Sequence, residues 1–495
     1  MQSEAQYLRT VPLAELLEET GVTGFRGPEG VVVKRLCYDS RQVEPGDCFV
    51  AVAGTASDGH DYIGRAVGAG AAAVVCERLP ESLSEGVAYA VVPDSAAALG
   101  RMAAAYYGHP SRELKLVGVT GTNGKTTIAT LLSDLFHAAG YRTGLVSTVV
   151  YRIDRRTCPS THTTPDALRL QALLREMVDA GCDYCFMEVS SHAVAQKRIE
   201  GLSFAGGIFT NLTHDHLDYH KTFAEYLRVK KRFFDTLPAA AFALVNADDR
   251  NGAVMLQNCA ARQAFYSLRE AADFTCKLIE SRMDGMLLRL GGQEVWVNLT
   301  GRFNASNLTA LYGAAVLLGL DPRETLRLMS ALRSVSGRFD TLQGPGGTTG
   351  VVDYAHTPDA LENVLKTIGE IRRPGQHIVC VCGCGGDRDR TKRPEMARVA
   401  LRYADTAIFT SDNPRHESPE AILDEMVAGL GPGSRYLRIT DRAQAIRTAV
   451  LTARPGDVVL VAGKGHETYQ IVGDERRPFD DREELRNAFA LLENR

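Results

Sequence analysis

The chain has no strong charge imbalance: 56 lysines and arginines stand against 60 aspartates and glutamates, a net of −4. That balance gives no support for a nucleic-acid partner or for adhesion to an anionic membrane. No apolar run reaches membrane-spanning length. The stretch Met1–Leu16 carries Glu4, Arg9 and Glu15 and so lacks an apolar signal core. A soluble cytoplasmic protein, without a membrane span and expected to be a monomer, is the resulting reading. No G-x-S-x-G turn and no nucleophilic Cys–His pattern is evident. The 11 cysteines are odd in number and scattered, in a chain too long for a disulfide scaffold. Neither Cys182/Cys185 nor Cys380/Cys382/Cys384 has a second half at zinc-site spacing. Both groups lie in apolar, strand-like runs, where they read as small buried hydrophobes.

With 495 residues, 45% hydrophobic and 23% charged, the chain is an ordinary globular sequence too long for one core. It is organised around Val117–Thr127, V-G-V-T-G-T-N-G-K-T-T. An apolar run, Leu114–Val119, precedes this stretch. Ile128, Leu131, Leu132, Leu135 and Phe136 follow it at helical spacing. Strand, glycine-rich turn and helix are what a phosphate-binding loop requires: backbone N–H groups and the positive helix end cradle a polyphosphate. Lys125 would neutralise the outer phosphates and the Thr126 hydroxyl would hold Mg²⁺. The match to G-x-x-x-x-G-K-[ST] is imperfect, with Val119 in place of the first glycine. The plain alternative is a glycine-rich turn without a ligand.

Three units are expected: 1–110, 111–337 and 338–495. In the first, Val31–Arg35 is β-like, Y-D-S-R at Tyr38–Arg41 leads to a turn and strand over Pro45–Val52, and Ala53–Ile63 is a polar glycine loop. Taken alone these loops are unremarkable in kind. In the second, Pro165 and Asp166 start a helix, and the strand Tyr184–Val189 carries Glu188 at its C-terminal end. A buried strand glutamate needs a partner; metal ligation is favoured over an ion pair. Ile208–Lys221 packs three histidines and two aspartates into seven residues, which reads as metal and substrate chemistry rather than a solvated loop. Lys230, Lys231 and Arg232 lie on a helix over Glu225–Phe234 and, from the residues alone, are surface cations. G-R-F-N-A-S-N at Gly301–Asn307 reads as a turn entering a helix at Leu308, with Asn304 and Asn307 capping it or reaching a base.

The third unit alternates strand and helix in a doubly wound rhythm. Strands are expected at Gly350–Tyr354, His377–Cys382, Thr406–Thr410, Tyr436–Ile439 and Asp457–Ala462, and helices at Asp359–Ile371 and Pro419–Gly429. Polar motifs follow the strands: Asp353–Pro358, Gly383–Arg390, Ser411–Glu417 and Gly463–Glu467. The C-terminal edge of a parallel sheet is where α/β folds bind ligands. Arg388, Arg390 and Arg415 there suit a carboxylate held bidentately. ATP in one unit and a carboxylate-bearing ligand in another suggest carboxylate activation or phosphoryl transfer across a cleft.

G-T-N-G-K-T-T, M-E-V-S-S-H, T-N-L-T-H-D-H-L-D-Y-H, G-R-F-N-A-S-N, D-Y-A-H-T-P-D-A-L, G-C-G-G-D-R-D-R-x-K-R-P, D-N-P-R and A-G-K-G-H-E occur in this order. Together with Y-D-S-R and D-G-H-D-Y-I, this series resembles the Mur ligases of peptidoglycan synthesis over nearly the whole chain. The resemblance implies an α/β protein of three domains: an N-terminal domain for the uridine nucleotide, a central P-loop ATPase-like parallel sheet, and a C-terminal Rossmann-like doubly wound sheet for the amino acid. It implies ATP-dependent addition of meso-2,6-diaminopimelate to UDP-N-acetylmuramoyl-L-alanyl-D-glutamate through an acyl phosphate, with ATP and Mg²⁺.

By position in the motifs, Gly121, Thr122, Asn123, Gly124, Lys125, Thr126 and Thr127 would hold the phosphates. Thr126, Glu188 and His216 would serve Mg²⁺, with Lys230 as the lysine the family carbamylates. Asn304 would contact the base, and Arg338 and Asp353 would close the nucleotide site. Ser40, Thr55, Ala56 and Ser57 would meet the uridine nucleotide, and Thr163, Thr164, Ser190, Gln196 and Arg198 the muramoyl-dipeptide. Arg388, Asp412, Asn413, Pro414, Arg415, Gly463 and Glu467 would form the diaminopimelate site, where Arg415 pairs with the distal carboxylate that lysine lacks. His162 stands where relatives often have Asn, and Asp340 replaces a common Glu. The alternatives are a relative adding lysine or another diamino acid, a folylpolyglutamate synthetase, and a non-catalytic nucleotide-dependent binding protein. D-N-P-R opposes the first, the N-terminal motifs the second, and the intact Lys125, Glu188, His216 and Lys230 the third.

Overall fold

Apolar runs bounded by glycine turns become the strands of three sheets, of five, eleven and six strands, that carry the cores. In the computed structural model, residues 9–493 are described, except 55, 56, 214, 216 and 432, and residues 217–218 by backbone alone. Thr55, Ala56, His214 and His216 therefore lie outside the described residues.

The five-stranded sheet lies between Gly24 and Val91, four of its strands running parallel and Gly24–Arg26 pairing antiparallel at one edge. The eleven-stranded sheet is built on β1 (Lys115–Thr120), β2 (Thr143–Val146), β3 (Tyr184–Glu188), β4 (Gly206–Phe209), β5 (Phe242–Asn246) and β6 (Arg262–Ser267). Their order is β2-β3-β1-β4-β5-β6, all parallel. Antiparallel pairings extend both edges; beyond β6, Phe274–Arg282 joins parallel and Gly285–Leu290 and Gln293–Val297 follow antiparallel, three strands the sequence reading did not anticipate.

Helices cover both faces of this sheet. α1 (Lys125–Ala138) and α4 (Arg302–Leu317) pack on one face, and α2 (Ala167–Asp179) and α3 (Phe223–Asp235) on the other. Burial on both faces explains why these strands read as continuous apolar runs rather than alternating ones. The α2 start is as expected: the Asp166 side chain accepts from the Arg169 N–H. The reading of Gly301–Asn307 as a turn is corrected. α4 begins at Arg302, because Gly301, at φ +98°, makes the turn alone. Asn304 and Asn307 thus lie inside the helix rather than capping it.

The six-stranded sheet holds β7 (Thr349–Asp353), β8 (Ile378–Cys382), β9 (Thr406–Phe409), β10 (Tyr436–Arg438) and β11 (Val458–Ala462) in the parallel order β7-β11-β8-β9-β10. Asp340–Gln343 pairs antiparallel with β7. α5 (Pro358–Ile371) starts at Pro358 with Thr357 as its N-cap. Each predicted strand of this unit is present within a residue or two of its expected limits. All eleven cysteines are free, and all but Cys158 are buried, as small hydrophobes would be.

Two buried cations brace the C-terminal edge of this sheet. Arg442 and Asp481 are both 0% exposed and pair bidentately, each bond 2.7 Å long. Arg442 also donates to the carbonyls of Ala462 and Ser411. Arg393, equally buried, reaches Glu417, Glu425 and the carbonyl of Gly385. Removing one partner of such a pair strands a charge in a low-dielectric interior. Asp481→Ala is expected to cost about 3–5 kcal/mol, read as a lowered chemical-denaturation midpoint. Replacing Arg442 and Asp481 together by Met and Leu should recover most of the loss.

Candidate active site

The phosphate-loop geometry follows from close packing around two glycines. At Gly121, φ +148°, a Cβ would sit 1.9 Å from Thr210 Oγ1; at Gly124, φ +88°, it would sit 2.6 Å from Asn307 Oδ1. No other residue fits either position without strain. The loop ends at α1, whose first turn carries Lys125 and Thr126. Lys125 Nζ folds back onto the carbonyls of Gly121 (2.9 Å) and Thr122 (2.7 Å).

Lys230 is the largest departure from what the residues alone suggest, although the motif resemblance had singled it out. It is not a surface lysine: α3 is amphipathic and turns it inward, 1% exposed. Its Nζ donates to the same Gly121 carbonyl at 2.9 Å. Burial, reinforced by Lys125, holds the Lys230 amine well below the ordinary lysine range. Burial lowers Lys125 as well. Two desolvated amines on one oxygen leave the loop short of negative charge.

Across from the loop, Glu188 ends β3 beside β1, as expected, and accepts from the Thr148 N–H at 2.7 Å. Thr164 Oγ1 donates to the Glu188 carbonyl and accepts from the Ser190 N–H. Ser190 caps the helix Ser191–Ala195. Arg198 grips Gln196 Oε1 through two nitrogens and the Thr164 carbonyl through a third. Thr163 takes a hydrogen bond from Thr148 Oγ1 at 3.0 Å. These residues thus form one connected wall.

The third unit closes the opposite side. Arg338 stacks 4.6 Å from the Tyr354 ring centroid and donates to Thr126 Oγ1 at 3.0 Å. Asp353 accepts from the Phe339 N–H at 2.6 Å, and burial pushes its carboxyl up to about 6 against the opposing pull of Arg338. Lys464, 0% exposed, bonds Asn413 Oδ1 and Glu467 Oε2, and Asn413 Nδ2 bonds the same Glu467 oxygen. Gly463 lets Asp412 approach, since a Cβ there would lie 2.5 Å from Asp412 Oδ2. Arg415 sits at φ +51°, its backbone pinned to the hairpin at Ile471 and Gly473. Its Nη1 donates to the Gly386 carbonyl at 2.8 Å. Among the described residues, no carboxylate pairs with the Arg415 or Arg388 guanidinium.

One cavity of about 1080 Å³ joins these walls. Thr122–Thr127, Thr163, Thr164, Glu188, Ser190, Arg198, Lys230, Arg338, Asp353, Arg388, Asp412, Asn413, Arg415, Gly463 and Glu467 all line it. His162 lines it too. Gly121, Gln196 and Pro414 are not among the lining residues; Gly121 accepts from the lining Lys125 and Lys230, and Gln196 from the lining Arg198. Asn304 is buried, its amide spent on the Thr300 carbonyl and on Asn307, and it is Asn307 that reaches the cavity. Ser40 and Ser57 lie in the N-terminal unit outside this cavity, although neighbouring Tyr38 is within electrostatic reach of Asp166 and Arg198. Asp340 pairs with Arg482. The sequence reading missed the buried Lys464 and Arg393; their signal was a cation inside a glycine-rich motif at a strand end.

Family models match over much of the chain: "Mur ligase family, catalytic domain" at residues 32–107, "Mur ligase middle domain" at 119–315, and "Mur ligase, glutamate ligase domain" at 337–465. A protein of Parabacteroides distasonis named UDP-N-acetylmuramoyl-L-alanyl-D-glutamate–2,6-diaminopimelate ligase is 56% identical, over 97% of this chain and 100% of that protein. A solved structure of a ligase of the same name is 32% identical, with a TM-score of 0.69, over 98% of this chain and 100% of its own. A MurF ligase of Thermotoga maritima, solved in complex with ADP, shares the fold at 20% identity and a TM-score of 0.61, over 93% of this chain and 98% of its own.

The raised Asp353 value has a consequence for stability. The folded chain holds this proton more tightly than the unfolded one, whose group ionises near the ordinary 3.8. The penalty for ionising it is absent below that pH, grows as pH rises to about 6, and is constant above. Asp353→Asn should therefore flatten the fall in stability across that window, measured by denaturation at a series of pH values.

Proposed function

The chain belongs to the Mur ligase family, and from that premise we propose that it joins meso-diaminopimelate to UDP-N-acetylmuramoyl-L-alanyl-D-glutamate at the expense of ATP. It is an ATP-dependent, amide-bond-forming ligase of peptidoglycan precursor synthesis, a cytoplasmic step that feeds cell-wall growth and division. One observation carries the reading: a single cavity has the phosphate loop at one side and unpaired arginines at the other. We assign the three domains to 1–110, 111–337 and 338–495.

A carboxylate is a poor electrophile at neutral pH, because its charge repels an incoming amine's lone pair. The D-glutamyl γ-carboxylate first takes the γ-phosphoryl group of ATP, giving an acyl phosphate and ADP. The amine of diaminopimelate then attacks, a proton is lost, and phosphate leaves through a tetrahedral intermediate. Positioning and charge neutralisation do most of this catalysis. Gly121–Thr127 cradle the phosphates, and the two amines at the Gly121 carbonyl supply an environment that calls for anions. Arg338 and Asp353 bring the third domain to the nucleotide.

The donor set fits Mg²⁺. Thr126 and Glu188 offer hard oxygen donors, and among the described residues no three ligating side chains converge into a closed metal cage. Mg²⁺ keeps waters and phosphate oxygens in its shell and needs no such cage. When bound it would neutralise charge on the phosphates; His216 is assigned to it by motif position. Burial beside Lys125 disfavours the charge on the Lys230 amine, in the direction that addition of CO₂ requires. Carbamylation would turn a cation repelled by Lys125 into an anion attracted to it.

Thr163, Thr164, Ser190, Gln196 and Arg198 hold the muramoyl-dipeptide, and Ser40 and Thr55–Ser57 the uridine nucleotide. Arg415, with Arg388, takes the distal carboxylate of diaminopimelate, while Asp412, Asn413, Gly463 and Glu467 receive its amino-acid end. Lysine would leave the guanidinium unpaired, which is the source of discrimination.

The test is phosphate release with ATP, Mg²⁺ and UDP-muramoyl-dipeptide, with diaminopimelate or L-lysine supplied in parallel and the product mass checked. Turnover with diaminopimelate is expected; turnover with lysine instead would overturn the specificity, and silence with both would favour a binding protein. Arg415→Ala should lower kcat/KM for diaminopimelate by about a hundredfold or more, with lysine discrimination lost. Lys230→Arg, which keeps a charge and cannot be carbamylated, should lower kcat by about a hundredfold or more.

A further inference from the structure

Among the described residues, two side-chain hydrogen bonds tie the phosphate loop to the third unit. One is Arg338 to Thr126. The other runs from Asn123 Nδ2 to Asp359 Oδ2 at 3.1 Å, between residues 236 apart in the chain. The reaction gives Asp359 no chemical task, yet its carboxylate lines the cavity beside the loop.

What it does is visible at Asn123. The backbone of this residue is already fixed on both sides. Its N–H donates to Asn211 Oδ1 at 2.9 Å, and its carbonyl accepts from Thr210 Oγ1 at 2.6 Å and Asn211 Nδ2 at 3.2 Å. The side-chain amide is the remaining handle, and it points out of the central unit toward Asp359. Asp359 stands in the first turn of α5, fixed there by the Thr357 cap and Pro358. Asn363 Nδ2, one turn on, donates to the same Oδ2 at 3.3 Å and orients it. The carboxylate is therefore held in place by the third unit and spends its acceptor on the loop.

We propose that Asp359 is a positioning residue: by accepting from Asn123 it pre-orders the phosphate loop, so that seating of the third unit raises nucleotide affinity. By linkage, nucleotide binding favours the seated third unit to the same degree. The gain comes from loop ordering completed before the ligand arrives. The inference rests on reading Gly121–Thr127 as the nucleotide site, and not on the identity of the amino acid added.

Equilibrium calorimetry of Mg²⁺–ADP binding to the full chain tests it, on the wild type, Asp359→Ala, Asp359→Asn, Asn123→Ala and the double alanine variant. Asp359→Ala and Asn123→Ala should each weaken binding about tenfold. Asp359→Asn keeps an acceptor oxygen and should stay within about threefold of wild type. The double variant should bind no more weakly than the weaker single one, because both remove the same bond. Unchanged or tighter binding by Asp359→Ala, no rescue by Asp359→Asn, or multiplied losses in the double variant would each overturn the proposal. A wild type that binds no ADP would overturn the proposal together with the nucleotide site. A wild type that binds ADP but releases no phosphate with diaminopimelate would overturn the ligase assignment alone.

Discussion

The carbonyl of Gly121 accepts from two amines at once, the half-buried Lys125 and the buried Lys230, each at 2.9 Å. Two cations so placed repel each other and have lost most of their hydration, and a single carbonyl dipole cannot compensate both. The arrangement persists because the surrounding fold over-determines it. Gly121 is locked against Thr210, α1 projects Lys125 from its first turn, and the apolar face of α3 brings Lys230 in beside Phe233 and Phe234. The resulting demand for negative charge marks this end of the cavity: it calls for an anion at Lys125, and burial beside Lys125 disfavours the charge on Lys230.

The opposite wall solves the reverse problem. There the fold pairs some cations with carboxylates so that others stay available. Arg442 is matched by Asp481, Arg393 by Glu417 and Glu425, and Lys464 by Glu467 and Asn413. These pairs knit the loops after β8, β9 and β11 into one rigid edge. Arg415 is carried by that edge at a positive φ, a conformation a non-glycine residue holds only where neighbours enforce it. Its backbone is clamped to the hairpin at Ile471 and Gly473 while its guanidinium keeps donors for a ligand. That division of labour leaves the Arg415 guanidinium, among the described residues, without a carboxylate partner.

Between the two walls, contacts such as Arg338 with Thr126 and Asn123 with Asp359 are long-range in sequence and local in space. They join the unit that carries the glycine-rich loop to the unit that carries Arg415. A reaction in which one substrate is activated before the second attacks benefits from such ties, because an acyl phosphate exposed to water would hydrolyse.

Much of this was legible in the sequence. The phosphate loop, the parallel strands of the third unit, Glu188 at the end of β3 and the Asp166 helix start were all readable, because each depends on near-neighbour chemistry: apolar runs, glycine turns and caps. The motif series also identified the family, which the comparisons bear out. What the sequence could not determine was which polar residues end up buried and against whom. Lys230, Lys231 and Arg232 are equivalent as letters; only the packing of α3 on the central sheet takes Lys230 to 1% exposure and onto the Gly121 carbonyl. Gly301–Asn307 read as a turn because Asn favours caps, yet tertiary contacts around Gly301 start α4 early and turn Asn304 inward. Asp359 and the Arg442–Asp481 pair left no local signal, since their partners lie far away in the chain. Short-range chemistry thus set the elements and the motifs, whereas charge, burial and hydrogen-bond pairing across the cavity were decided by tertiary structure, because desolvation and Coulomb interactions depend on distance in space.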